Sequence, residues 1–363
     1  MRIHEFSGPD QLGPWRDRWR RLAHDCNVSY FQSPEWVSAW NETCEPGTRL
    51  IVLADGPEDD PDGLLVLSPL HRRVHHSVSV GIDYVGLAGS GLGAADHLGP
   101  IARSDASSLR LLQTAASYAG QRPLVLSNLA ARHRAAALRL PGAVEVSTKR
   151  CPVLDLSGAT STSDVWSTKF VKNLRRRNRL MESSGLRRRW THGGPQALAA
   201  IEDLRRVHVA RWQSRGQSGL FDEQRRRLLT DLAGRVEGDE GLWVETIEGD
   251  EGVVAALLGF QYAGTFCSYK TGWDPSLHRL GVGILLHSGA IERAVSLGLT
   301  RYDFLRGAES HKYSLGGVDE VNGTIVVPNG VQGQVLLARD RLSELVSVRA
   351  SRRHADVAEH VPA

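Results

Sequence analysis

Sulfur is scarce in this chain: two methionines and four cysteines in 363 residues. Cys26, Cys44, Cys151 and Cys267 lie far apart and form no C-x-x-C pair, which excludes zinc-ribbon and dithiol redox motifs. They read as packed thiols. Fourteen histidines include no H-E-x-x-H, and HRRVHH at 71–76 reads as a solvated loop, so no metal is expected. No apolar run is long enough to span a bilayer, and the start MRIHEFSGPDQ has no basic segment leading into an apolar one. The expected location is therefore the cytoplasm. The chain also lacks the lysine of a G-x-x-x-x-G-K-[ST] phosphate loop and the third glycine of G-x-G-x-x-G, which excludes the common nucleotide-binding loops.

What is present suits a globular protein with a substantial core: 41% hydrophobic and 23% charged residues. The length fits two domains. In FQSPEWVSAW (31–40), Ser33 is placed to cap a helix, Pro34 takes its first position, Glu35 its first turn, and Trp36 and Trp40 share a face. RLIVLAD (49–55), GLLVLSPLH (63–71) and VSVGIDYVGLA (78–88) read as hairpin strands. A helix over 106–120 and a strand over 123–129 follow. Small polar residues then mark a linker at 156–166. This divides the chain into lobes at 1–155 and 167–330, with a C-terminal helix and tail at 331–363.

Between Lys169 and Arg189, nine basic residues face one acid, Glu182. Phe170, Leu174 and Met181 share a stripe there, so the segment reads as a helix with one packed edge and a charged remainder. Helices over 195–215 and 223–236 lead to a meander, GLWVETIEG, GVVAALLGFQYAG and GTFCSYKTGW, with turns at 248–252 and at Ala263-Gly264. HRLGVGILLHSGAIERA (278–294) is a glycine turn opening a helix, and RYDFLRG (301–307) is a strand. Glycines at a helix mouth let a phosphate approach exposed N–H groups. The order of elements predicts an α+β fold, each lobe a mixed, mainly antiparallel sheet flanked by helices.

A strand, a glycine turn without a phosphate-loop lysine, and a helix together resemble the coenzyme A site of the Gcn5-related N-acetyltransferase (GNAT) fold. Its signature Q/R-x-x-G-x-G/A aligns with His278, Arg279, Leu280, Gly281, Val282 and Gly283, histidine replacing the first residue and Arg279 available as the cation. YFQSPEWVSAW, KFVKNLRRRNRLMESSG and RYDFLRGAESHKYSLGG, in order across residues 30–328, resemble the CelD-type acetyltransferases, which carry two such lobes in tandem. HKYSLG (311–316) is similar to the F-K-x-x-F-G motif of the Fem aminoacyl transferases, with His311 and Leu315 in place of phenylalanine.

The resemblance implies an acyl-CoA-dependent N-acyltransferase, with acetyl-CoA as the expected co-substrate and an amine of a small molecule or saccharide as acceptor. The donor arm would lie between splayed strands at 265–273 and 301–306, with backbone N–H groups of Tyr269, Lys270, Thr271 and Gly272 polarising its carbonyl. His311, Glu309 and Asp303 are the candidate proton acceptors, His311 preferred for its intrinsic pKa and Asp303 also suited to fixing the following turn. Arg306, Lys312 and Tyr313 are candidate acceptor contacts. Cys267, in a central strand, reads as core. The basic segment 169–189 is a surface for an acyl carrier protein or, in the Fem-like alternative, for aminoacyl-tRNA. A non-catalytic tandem-lobe scaffold is the third alternative.

Overall fold

The computed structural model describes residues 1–75, 78–91, 95–213 and 222–338. His76 of the histidine cluster, residues 214 and 215 of the long helix, and residues 339–363 of the expected helix and tail lie outside the described residues.

The first half runs β1 (Arg2–Phe6), α1 (Trp15–Asp25), α2 (Pro34–Thr43), β2 (Leu50–Asp55), β3 (Gly63–His75), β4 (Val78–Leu87) and β5 (Ile101–Ala102). It continues through α3 (Asp105–Ala119), β6 (Leu124–Leu129), α4 (Ala131–Ala137) and β7 (Val144–Asp155). Helix α2 starts as its sequence dictates: the Ser33 hydroxyl accepts the Trp36 N–H at 3.1 Å, and Pro34 stands where a missing N–H is harmless. Residues 71–75 of the histidine cluster are not a loop. They continue β3 because β4 offers a partner as far as His75↔Val78, with His71 Nδ1 2.8 Å from Asp83.

The second half holds α5 (Thr162–Val165), α6 (Thr168–Ser183), β8 (Arg187–His192), α7 (Gly194–Gln213) and α8 (Glu223–Ala233). The meander follows as β9 (Gly241–Gly249), β10 (Gly252–Tyr262) and β11 (Thr265–Trp273). Ala263 and Gly264 take φ of 44° and 75°, the left-handed pair that a two-residue hairpin requires. Then come α9 (Val282–Ser296), β12 (Arg301–Asp303), α10 (Ser310–Ser314) and β13 (Val318–Val327). Basic helix α6 buries Val171, Leu174 and Met181 and leaves Lys169, Lys172, Arg175, Arg176 and Arg179 exposed.

The fold is α+β, with a mainly antiparallel sheet flanked by helices. The halves repeat one plan, an antiparallel meander, a helix, a parallel strand, a short helix and a long last strand, and these last strands cross over. β13 lies between β6 and β7, and β7 between β13 and β12, which joins the two halves into one thirteen-stranded sheet among the described residues. Each last strand thus supplies the other half with a partner and leaves no open edge at the centre. The cores are also shared: Tyr30 stacks on Phe260 at 4.5 Å, and fully buried Trp36 packs edge-on to Phe260 at 5.8 Å and Tyr269 at 6.1 Å.

Candidate active site

Strands β11 and β12 pair in parallel from Thr265↔Arg301 to Cys267↔Asp303 and then part. Two local features drive them apart. In β11, Ser268 faces Gly259 of β10 and Lys270 faces Leu258, so Tyr269 is an extra residue, a bulge that bends the strand. Beyond β12, the Asp303 carboxylate accepts the Leu305 N–H at 2.8 Å, and Leu305 turns left-handed at φ 56°.

A cleft of ≈ 430 Å³ opens where the strands separate. One wall is Ser268 to Thr271 with Trp273, and the other is Phe304, Leu305 and Arg306. His287 of α9, His208 of α7 and Asp96 of the first half close it, and Glu309, His311 and Lys312 stand at its mouth. His287 Nδ1 lies 2.9 Å from the Tyr302 hydroxyl, and its ring centroid lies 5.2 Å from that of His311. Burial keeps Tyr302 protonated, its pKa far above the ordinary phenol value.

Lys312 organises the mouth. Its buried ammonium donates to the carbonyls of Leu305 at 2.9 Å, Arg306 at 2.9 Å and Gly307 at 3.2 Å, and lies 3.1 Å from Glu309. It therefore braces the loop in which Leu305 takes a left-handed φ of 56°, and is occupied by main-chain partners. Burial alone would raise the Glu309 carboxyl, but the charge and hydrogen bond of Lys312, a main-chain N–H and the neighbouring His311 together outweigh it and hold the group below its ordinary value. Arg306 is fixed from the other half: its N–H and Nε donate to Asp96 at 3.1 and 3.0 Å, and its Nη2 to the Ala95 carbonyl at 2.8 Å. Burial, reinforced by the charges of Arg225 and Arg306, pulls the Lys270 ammonium below its usual pKa.

Tyr269, Lys270, Thr271, Arg306, Glu309, His311 and Lys312 thus line one cleft, as the sequence reading grouped them. Gly272 lies behind it: a Cβ there would come within 2.7 Å of the His208 backbone nitrogen, so glycine lets α7 press on β11. Asp303 is not in the cleft wall. It is buried against His97, whose Nε2 lies 2.9 Å away, and it fixes the Leu305 turn. Arg306 takes Asp96, not Asp303, as its partner. Tyr313 is also outside, its hydroxyl donating to Asp319 at 2.8 Å. Cys267 is buried, and burial drives its thiol pKa well up, so it is a core residue.

The glycine turn adjoins the cleft at the start of α9. His278 and Arg279 occupy a 3-10 turn, Pro275–Leu280, and their side chains lie outside those described. Gly281 caps α9 at φ 66°, and a Cβ there would run into the guanidinium of Arg177, which donates to the Leu280 carbonyl at 3.1 Å. Beside Gly283, which precedes the buried Leu285 and Leu286, a Cβ would press on the Trp273 ring at 3.3 Å. Val282 is buried under the turn. A positive side chain and the free N–H groups of a helix start therefore meet at this turn, the arrangement that suits a phosphate.

The first half has the corresponding gap but fills it. β4 and β6 pair in parallel at Val85↔Leu124 and Gly86↔Val125. Where they part, Leu98 donates to the Asn128 carbonyl at 3.1 Å and accepts from Ala130 N–H at 2.8 Å. The segment around Leu98 thus bridges to β6 at the first gap, and its neighbour Asp96 lines the second.

Sequence reasoning missed His287, His208, Ser268, Trp273 and Asp96. His287 had a signal, a polar residue inside the apolar run ILLHSGAI. Asp96 had none, since it enters the cleft from a segment about two hundred positions earlier.

The family model described as an acetyltransferase (GNAT) domain matches residues 168–313, from α6 into α10. That stretch contains β11, α9, β12 and every cleft residue named above except Asp96, and is similar to GNAT acetyltransferase domains. Among solved structures the chain is similar to FemX, at 8% identity over 90% of this chain and 97% of that chain, with a TM-score of 0.61. It is also similar to the C-terminal DUF2156 domain of a protein named as a lysylphosphatidylglycerol synthetase from Agrobacterium fabrum, at 10% identity, 90% and 94% coverage and a TM-score of 0.56. L-PGS from Bacillus licheniformis compares at 10% identity, 89% and 95% coverage and 0.55. At such identities the likeness is one of fold. No curated protein matches the chain.

Proposed function

We propose that the protein is an N-acyltransferase that moves an acyl group from acyl-CoA, acetyl-CoA in the simplest case, to an amine of a small molecule or saccharide. The observation that carries this reading is the cleft between parted strands lying directly beside a left-handed glycine turn at a helix start. The donor's pyrophosphate would rest at Gly281 to Gly283 with Arg177, and its arm would run along Ser268 to Thr271, whose N–H groups polarise the carbonyl. The acceptor nitrogen attacks that carbonyl, the C–S bond breaks, and coenzyme A leaves as the thiol or thiolate. The amine's proton goes to His311. Glu309, held ionised by Lys312, is the weaker base of the two, whereas an imidazole titrates near neutrality.

A second reading takes the acyl group from aminoacyl-tRNA, as in the Fem-like transferases that HKYSLG resembles. The exposed Lys169, Lys172, Arg175, Arg176 and Arg179 of α6 favour it, because the same helix carries Arg177 to the glycine turn. An acyl carrier protein would meet the same face. Two measurements separate these donors. Coenzyme A should raise the melting temperature in a saturable way, by an amount set by its concentration relative to Kd. His311→Gln should retain that shift while losing ~10²–10⁴-fold in turnover. No shift with coenzyme A, together with tRNA binding that weakens steeply with salt, would replace the first reading by the second.

A further inference from the structure

A second cavity, ≈ 440 Å³, opens beside the paired ends of β11 and β12 and shares no lining residue with the transfer cleft. Both halves build it: Asn27, Ser29 and Arg132 come from the first, Thr265, Arg301 and Glu320 from the second. Adjacent residues separate the two spaces, with Asp96 facing the cleft and His97 facing this cavity.

Its charges do not cancel. Glu320 takes the fork of Arg301 at 2.7 and 3.0 Å. His97 lies between Asp303, 2.9 Å from its Nε2, and Glu320, 3.7 Å from its Nδ1. Burial opposes its charge, but the charge and hydrogen bond of Asp303, with the Asp96 charge, together outweigh burial and raise its pKa, so this imidazole is matched as well. Arg132 is the cation left over among the described residues. Its Nε donates to His133 Nε2 at 3.1 Å and its Nη1 to the Cys26 carbonyl at 3.4 Å. Both acceptors are neutral: burial and the charge of Arg132 push the His133 pKa down to about 3. A guanidinium facing a polar cavity, with no carboxylate of its own, is suited to a planar or tetrahedral anion. Two wall residues, Asn27 at φ 46° and His97 at φ 55°, hold left-handed backbone without being glycine, a strain that gathers at ligand sites.

We propose that this cavity binds a small hydroxylated molecule carrying one phosphate or carboxylate, with the anion on Arg132 and the hydroxyls on Asn27, Ser29 and Glu320. The binding requires no acyl chemistry and stands apart from the proposed transfer reaction.

Calorimetric titration of the full chain with glucose 6-phosphate, gluconate and glucose tests it. At least one of the two anions should bind saturably and glucose about tenfold or more weakly, since a charge-assisted pair is lost. Arg132→Gln should weaken the bound anion by a similar factor. Asn27→Asp, which tolerates the left-handed backbone, should weaken it by repulsion and serves if the arginine variant does not fold. Arg177→Gln, at the glycine turn, should leave it unchanged. The proposal is overturned if neither anion saturates, if glucose binds as tightly, if both Arg132→Gln and Asn27→Asp bind like the wild type, or if Arg177→Gln abolishes binding, which would place the anion at the donor turn.

Discussion

Replacing Lys312 by methionine keeps most of the stem's volume and removes the ammonium, which separates bracing the loop from binding an anion. The wild-type Nζ satisfies three carbonyls at 2.9, 2.9 and 3.2 Å and lies 3.1 Å from Glu309. Hydrogen bonds to a charged donor contribute about 1.5–3 kcal/mol each, whereas the pair with Glu309, whose side chain is 57% exposed, adds at most about 1 kcal/mol. Part of this is recovered, because the bonds to the Arg306 and Gly307 carbonyls are only part-buried and water can replace the ammonium there. About 3 kcal/mol is the expected loss, within the roughly 5–15 kcal/mol by which such domains are stable, so the variant should still fold. At roughly 2–4 °C per kcal/mol, the melting temperature should fall by about 6–12 °C in calorimetry. The loop that carries Leu305 at φ 56° and Gly307 at φ 116° would relax and displace Arg306, Glu309 and His311. Turnover should therefore drop by ~10²-fold or more through lost positioning, while coenzyme A affinity, which the proposed reading assigns to the glycine turn, stays within a few-fold. An unchanged melting temperature combined with weakened coenzyme A binding would refute this reasoning, because Lys312 would then be contacting the donor directly.

Two other outcomes are expected. Gly281→Ala introduces a Cβ at φ 66° and against Arg177, so it should cost about 1 kcal/mol of stability and most of the coenzyme A affinity; normal affinity by titration would remove the turn from the donor site. The buried His97–Asp303 pair should confine part of the stability to mildly acidic pH. The His97 pKa is raised, so its contribution is full below 6.5 and is lost as pH rises through the folded value. The Asp303 pKa is lowered because His97 and Arg301 outweigh burial, so its contribution is present above 3.8 and is lost as pH falls through the folded value. Urea unfolding across pH should show both limbs, flattened in Asp303→Asn; an unaltered profile in that variant would assign the pH dependence to other groups, such as Glu320 or Glu245.

Residues with local causes were legible from the sequence. Ser33 and Pro34 start α2, Ala263-Gly264 turns β10 into β11, and two glycines open α9, because capping, left-handed backbone and helix starts depend on a few neighbouring residues. The stretch 301–312 also stood out as a candidate, since charged and titratable groups there crowd a short strand and loop, and several of them line the cleft. β7 and β13 were not legible. VEVSTKRCPVLD has a half-exposed first part and a proline near its end, and VDEVNGTIVV mixes acids with apolar residues. Neither pattern identifies a central strand until its partner is known.

The amino-acid sequence by itself determined the α+β order, the caps, the meander, the glycine turn and the basic face of α6, all of which follow from short-range sterics and periodicity. Only the tertiary structure decided which strand lies beside which, because β7 and β13 find their hydrogen-bond partners in the opposite half. The same packing decided the roles of the charged residues. It buried Asp303 against His97, occupied Lys312 with three carbonyls and brought Asp96 to Arg306, since the partner that sets a buried group's charge and orientation is chosen by what lies next to it in space.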